Sequence, residues 1–324
     1  DGDNLKNFFI SQAGDTDLRL NAMKRIGYFA VIFICLFGAG TPTLADGATT
    51  VFVSILPQKF FVQQISGDLI NAEVMVPPGA SPHTYEPKPS QMRKLAESRA
   101  YFTIGVALEE AWLDRITRIN PEMMVIHTEA GIDRMAMSGD HHHEGEQAET
   151  DEHGHEQGEQ AEGGLDPHIW LSPMLVKQQA EVIWTSLEAL DPENAAAYKT
   201  NFQRFSDRID ELDGQLKGIL EGKIGMKFMV FHPSWGYFAR GYKLVQVPVE
   251  IEGKSPKPAH LRSLIELARR EQITVIFAQP QFSRKSAEVI AREIGAQVVL
   301  IDPLGENWFE NMTVVANKLE AALR

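Results

Sequence analysis

Along the chain, short runs of β-branched and aromatic residues alternate with longer stretches in which apolar positions recur at helical spacing. Strands are predicted at 50–55, 73–76, 100–104 and 124–126 in the first half, and at 227–231, 244–247, 274–277 and 297–301 in the second. Helical patterns follow at 58–65, 91–96 and 108–119, and then at 234–240, 258–270, 283–294 and 308–323. Such alternation reads as βαβ units and parallel sheets. The fold class it predicts is α/β, in two similar lobes spanning 46–190 and 223–324.

Between the lobes, Ser172-Pro173 and Asp191-Pro192 each place a capping side chain before a proline at the first helical position. Two helices are therefore predicted to start there. The second, over 191–222, carries Tyr198, Phe202, Phe205, Ile209, Leu212, Leu216 and Leu220. These residues line one face for about six turns. The stripe alone fits a coiled coil. Occurring once, between two α/β halves, it fits better a stiff connecting helix lying across both.

Residues 139–164 follow neither pattern. They hold His141, His142, His143, His153 and His155 among nine carboxylates, with no Lys, Arg, aromatic or branched aliphatic residue. A segment so poor in apolar surface cannot offset its ordering entropy, so a disordered loop is expected, with its histidines as auxiliary weak metal ligands. It also accounts for most of the net charge of −13. With no basic cluster anywhere, nucleic acid is excluded as a partner.

Near the start, Met23-Lys24-Arg25 precedes an apolar stretch at 26–37 and then Thr43-Leu44-Ala45. That is the layout of a signal peptide, implying export and cleavage near Ala45. The apolar core is too short to serve comfortably as a membrane anchor. Residues 1–22 fit no signal pattern, so 1–45 is set aside as upstream segment plus signal. The single cysteine, Cys35, falls inside it. A mature protein without thiols must build any metal site from histidines and carboxylates.

Open α/β sheets bind ligands beyond the carboxyl ends of their strands. Of the ten histidines, that rule selects His232, after the 227–231 strand, and His83, in a proline-rich loop after the 73–76 strand. His168 precedes the Ser172 helix start, and Asp302 follows the 297–301 strand. Three imidazoles and a carboxylate suit Zn²⁺, and four protein ligands would leave no position for an activated water. Binding is favoured over catalysis on that ground. His127 is read as a hydrogen-bonded strand-end residue, and His260 as a surface residue.

The stretches Pro82-His83-Thr84-Tyr85-Glu86-Pro87, Asp166-Pro167-His168-Ile169-Trp170-Leu171-Ser172-Pro173 and Phe231-His232-Pro233-Ser234-Trp235-Gly236-Tyr237-Phe238 resemble the ZnuA/TroA-type (cluster A-I) metal-binding proteins of ABC importers. The similarity continues through Phe277-Ala278-Gln279-Pro280-Gln281-Phe282 and Asp302-Pro303-Leu304-Gly305, in order over 48–324. It implies two lobes, each with a four-stranded parallel sheet flanked by helices, joined by one long helix. It implies His83, His168, His232 and Asp302 as ligands to a transported ion. The partners implied are a permease and its ATPase subunit, the location is periplasmic or otherwise extracytoplasmic, and a monomer is expected. Manganese-preferring relatives commonly carry a carboxylate at the third ligand position, where this chain has His232. With the His-rich loop, this points to the zinc-selective branch, the alternative being a manganese- or iron-binding homologue. Gln279 stands where the family often has Glu, which leaves it an orienting amide. Further alternatives are a zinc metallohydrolase, with Glu86 as the sequence-adjacent carboxylate, and a surface adhesin.

Overall fold

The computed structural model describes residues 49–137, 164–250 and 256–323. The signal segment and the five loop histidines lie outside the described residues. Among those described, no helix is long and apolar enough to cross a membrane.

Strands β1 (Thr49–Val53), β2 (Ile70–Val74), β3 (Ala100–Thr103) and β4 (Met124–His127) form a parallel sheet in the order β2-β1-β3-β4. Strands β5 (Lys227–Val230), β6 (Val245–Pro248), β7 (Val275–Ala278) and β8 (Gln297–Leu300) form a second, β6-β5-β7-β8, also parallel. Val51, Phe52 and Val53 are buried in succession, as are Phe228, Met229 and Val230. Consecutive buried residues are what a strand covered on both faces requires. The covering helices are α1 (Leu56–Ser66), α2 (Pro89–Leu95), α3 (Ala107–Ile119), α4 (Pro173–Leu190), α5 (Ala195–Ile219), α6 (Gly236–Gly241), α7 (Pro258–Arg270), α8 (Arg284–Ile294) and α9 (Trp308–Ala322).

Three local expectations need correction. The second strand runs over 70–74, not 73–76, because the apolar run Val74-Met75-Val76 continues past the edge of the ladder. There Met75 N–H donates to Val53 O (2.9 Å) and Val76 N–H to Ser54 O (3.0 Å). The Ser172 side chain makes no capping hydrogen bond. The Asp191 carboxylate accepts from Tyr198 Oη (2.6 Å) and Asn194 Nδ2 (2.7 Å) instead of capping, and a 3₁₀ turn over Pro192–Asn194 precedes α5.

Helix α5 has 25 residues and buries the predicted stripe. Tyr198, Phe205, Ile209, Leu212 and Leu216 are buried, and Phe202 stacks on Trp184 at 4.7 Å. It packs on both lobes. Toward the first, Asn201 donates to Ile65 O (3.1 Å) and Arg208 to Gln64 Oε1 (2.7 Å). Toward the second, the Arg208 guanidinium lies 4.2 Å from the centre of the Phe309 ring. Phe60, Phe61, Phe205, Trp308 and Phe309 form an aromatic seam between the lobes, with contacting centroids 5.3–6.4 Å apart. Beside it Trp170 Nε1 donates to Pro303 O (2.7 Å), and Trp308 Nε1 to Trp170 O (2.8 Å). One apolar core runs through the first lobe, the long helix and part of the second lobe. A separate cluster, including Met229, Leu264, Ile276 and Ile290, belongs to the second lobe alone.

The lobes repeat a register beyond their sheets. Val249 N–H donates to Val230 O (2.8 Å) and Glu250 N–H to Phe231 O (3.0 Å). These two bonds copy those of Met75 and Val76, so Val76 and Glu250 occupy equivalent places.

Candidate metal centre

In each sheet the central strands diverge in order between β1 and β3, or β5 and β7, which opens a crevice at their carboxyl ends. In the first lobe Glu109 fills it. Its buried carboxylate accepts from Ile104 N (2.9 Å), Gly105 N (2.7 Å) and Ser54 Oγ. Desolvation raises its pKa to about 7. In the second lobe Gln279 closes the crevice by clamping the His232 backbone. Its Oε1 accepts from His232 N (3.2 Å), and its Nε2 donates to His232 O (2.7 Å).

His232 therefore leaves β5 with its main chain fixed. Its Nδ1 lies 2.5 Å from Glu250 Oε1. The ring stacks on Phe282 at 4.5 Å. His168 is reached through Asp166-Pro167. Asp166 Oδ1 accepts from the His168 backbone N–H (2.9 Å) and lies 2.7 Å from its Nδ1. Tyr237 of α6 holds this segment by donating to Asp166 O (2.9 Å) while accepting from Met135 N (2.9 Å). Gly236 permits the approach, since a Cβ there would stand 3.1 Å from Asp166 Oδ2. His83 arrives on the proline-rich loop, which Leu108 N–H ties at Pro82 O (3.2 Å).

The three imidazoles converge. One ring nitrogen from each of His83, His168 and His232 lies within 4.8 Å of the others. Ring centroids are 4.9 Å apart for His83 and His232, 5.3 Å for His168 and His232, and 6.1 Å for His83 and His168. His168 and His232 are buried, whereas His83 is partly exposed. Burial, then repulsion from His232 and His168, lowers the His83 pKa to about 3. Burial also lowers that of His232. His232 Nε2 is buried and has no hydrogen-bond partner among the described residues. The cavity the rings share, with Phe282 and Leu304, holds about 10 Å³ of free space. That is room for one water-sized sphere. A larger cavity, about 300 Å³, lies at the other end of the second sheet beside Lys227 and Glu271, and none of the predicted ligands lines it.

Asp302 is not brought into this cluster. Its Oδ1 accepts from Gln281 Nε2 (2.8 Å) and Leu304 N (2.9 Å), which shapes the loop beside the cavity. His127 Nδ1 lies 3.0 Å from Thr103 Oγ1 and 2.9 Å from Glu129 Oε1, at the end of an edge strand. His260 is half-buried on α7. Two residues of the site carried no role in the sequence reading. Asp166 was visible only as part of a motif. Glu250 had one signal, an acid closing the apolar run Val247-Pro248-Val249.

Two α/β lobes, a bracing helix and three imidazoles meeting in the cleft define a metal-binding protein of the transport type. Residues 51–322 match the family described as zinc-uptake complex component A, periplasmic (ZnuA), and the chain belongs to it. It is 27% identical over 294 residues to the high-affinity zinc uptake system protein ZnuA of Yersinia pestis, covering 85% of this chain and 89% of that protein. It is 26% identical over 305 residues to the zinc-binding lipoprotein AdcA of Streptococcus pneumoniae, covering 90% of this chain and 59% of that longer protein. Among solved structures, a ZnuA deletion mutant with zinc bound superimposes with a TM-score of 0.76 at 42% identity, over 85% of this chain and 98% of that one.

Proposed function

We propose that this protein captures Zn²⁺ outside the cytoplasm on His83, His168 and His232, and delivers it to an ABC-type importer made of a permease and an ATPase subunit. The observation that carries the reading is the convergence of three imidazole nitrogens, one of them the buried Nε2 of His232, which has no hydrogen-bond partner among the described residues. A buried ring nitrogen without a partner is costly unless something occupies its lone pair. An imidazole set favours zinc over manganese, which prefers oxygen ligands.

In the metal-free chain Asp302 Oδ1 is engaged by its own loop, and we assign the fourth ligand position to a water. Three histidines and a water also describe a catalytic zinc, so the hydrolase alternative must be answered on other ground. The small space beside the rings, about 10 Å³, fits an ion and supports the transport reading. The carboxylates nearest the rings, Asp166 and Glu250, are bonded to His168 and His232, which leaves neither to act as general base.

Competition against a chromophoric chelator tests the site. Zinc should bind with one tight stoichiometric equivalent, and His168→Ala or His232→Ala should weaken it at least tenfold, about 1.4 kcal/mol. Asp302→Asn should cost clearly less than either. Unchanged affinity in both histidine variants would overturn the assignment. A tenfold loss in Asp302→Asn would return that carboxylate to the ligand set.

A further inference from the structure

The histidines of the cluster differ in what stands behind them. His168 and His232 each have Nδ1 on a buried carboxylate, Asp166 at 2.7 Å and Glu250 at 2.5 Å. For His83 the structure gives a backbone bond, N–H to Ser81 Oγ at 3.3 Å, and among the described residues no carboxylate on the ring. The repeated register makes the contrast sharper. Glu250 stands where the first lobe has Val76, and both are 2% exposed. A carboxylate is the costlier occupant of such a place unless it is paired. The position after β6 has thus taken an acid against the interest of packing, and the acid faces His232.

We propose that Glu250 and Asp166 are positioning residues for the zinc site. Each accepts the Nδ1 proton of its imidazole, fixing the tautomer in which Nε2 carries the lone pair, and holds the ring at the angle that aims Nε2 into the cleft. Two of the three ligands are then set before an ion arrives, so binding spends little free energy on ordering them. Gln279 completes the arrangement for His232 by fixing its main chain, while Glu250 fixes the ring. This rests on the three-histidine zinc site and adds to it the residues that determine its readiness.

The test uses the full chain with ¹⁵N-labelled histidine. In the metal-free protein, His168 and His232 should give the nitrogen shifts of a fixed Nδ1–H tautomer, and His83 those of an averaging ring. Glu250→Val, which copies the first lobe, should abolish the fixed signature of His232 and weaken zinc binding by about 10- to 100-fold. Glu250→Gln keeps an accepting oxygen and should recover most of both. Asp166→Asn and Asp166→Ala repeat the comparison at His168, so the inference stays testable if Glu250→Val fails to accumulate. A Glu250→Val protein with wild-type affinity, or with the His232 tautomer still fixed, would overturn the proposal, as would a Glu250→Gln protein as impaired as Glu250→Val. A wild-type chain that binds no zinc would instead overturn the proposed function.

Discussion

Burial and mutual repulsion act together on His83, whose pKa falls to about 3, chiefly through desolvation and then through His232 and His168. In the unfolded chain the same ring titrates near ~6.5. Between those values the unfolded state holds the extra proton, so stability of the metal-free protein falls as pH drops below ~6.5. Glu109 works the other way. Its carboxyl, raised to about 7 by burial, is protonated in the fold before it is in the unfolded chain, and so it gains stability as pH falls from neutral. The two are separated by difference. The thermal midpoint of metal-free wild type should fall relative to that of His83→Ala as pH is lowered from 7 to 4.5, because the variant lacks the acid-sensitive imidazole. Parallel curves would show that His83 is not held neutral by its surroundings. The same depression has a use, since a ring that resists protons stays available to a metal in mildly acidic surroundings.

At the scale of elements, Phe205 shows how one side chain can join two lobes. It is 1% exposed and touches Phe60 and Phe61 on one side and Phe309 on the other. Phe205→Ala should cost about 3–5 kcal/mol, read from denaturant unfolding. One cooperative transition should remain, and a separate early loss of one lobe would contradict a shared core. The stripe containing Phe205 was legible in the sequence because helical period over many turns is a strong signal. The central strands β1, β3, β5 and β7 were legible as short continuous apolar runs, which the fold buries in succession. The edges were not. In β2, Asn71 and Glu73 break the apolar run, so the pattern pointed to the Val74-Met75-Val76 extension instead. The histidines were legible through their motifs. Asp302 was placed by strand-end position and by its motif, and in the metal-free chain its Oδ1 is held by Gln281 and Leu304, partners that neither signal encodes. Glu250 was hidden because its partner lies 18 residues away, across a strand pairing that no local pattern encodes.

For the whole molecule, the seam restricts what zinc binding can do to shape. Helix α5 packs on both lobes, and the Trp170 and Trp308 indoles bond across beside the cleft. Solution scattering with and without zinc should therefore give nearly equal radii of gyration, and a change of several ångströms would show that the helix is not a brace. The seam also has a consequence for biosynthesis. The first lobe emerges from the ribosome before the second, but its core is finished by α5 and by Trp308 and Met312, far downstream in sequence. Until those residues appear, an apolar face including Phe60 and Phe61 has no cover. For a chain of a family described as periplasmic that delay is useful, because the first lobe stays unfinished, and so threadable, until α9 has been made.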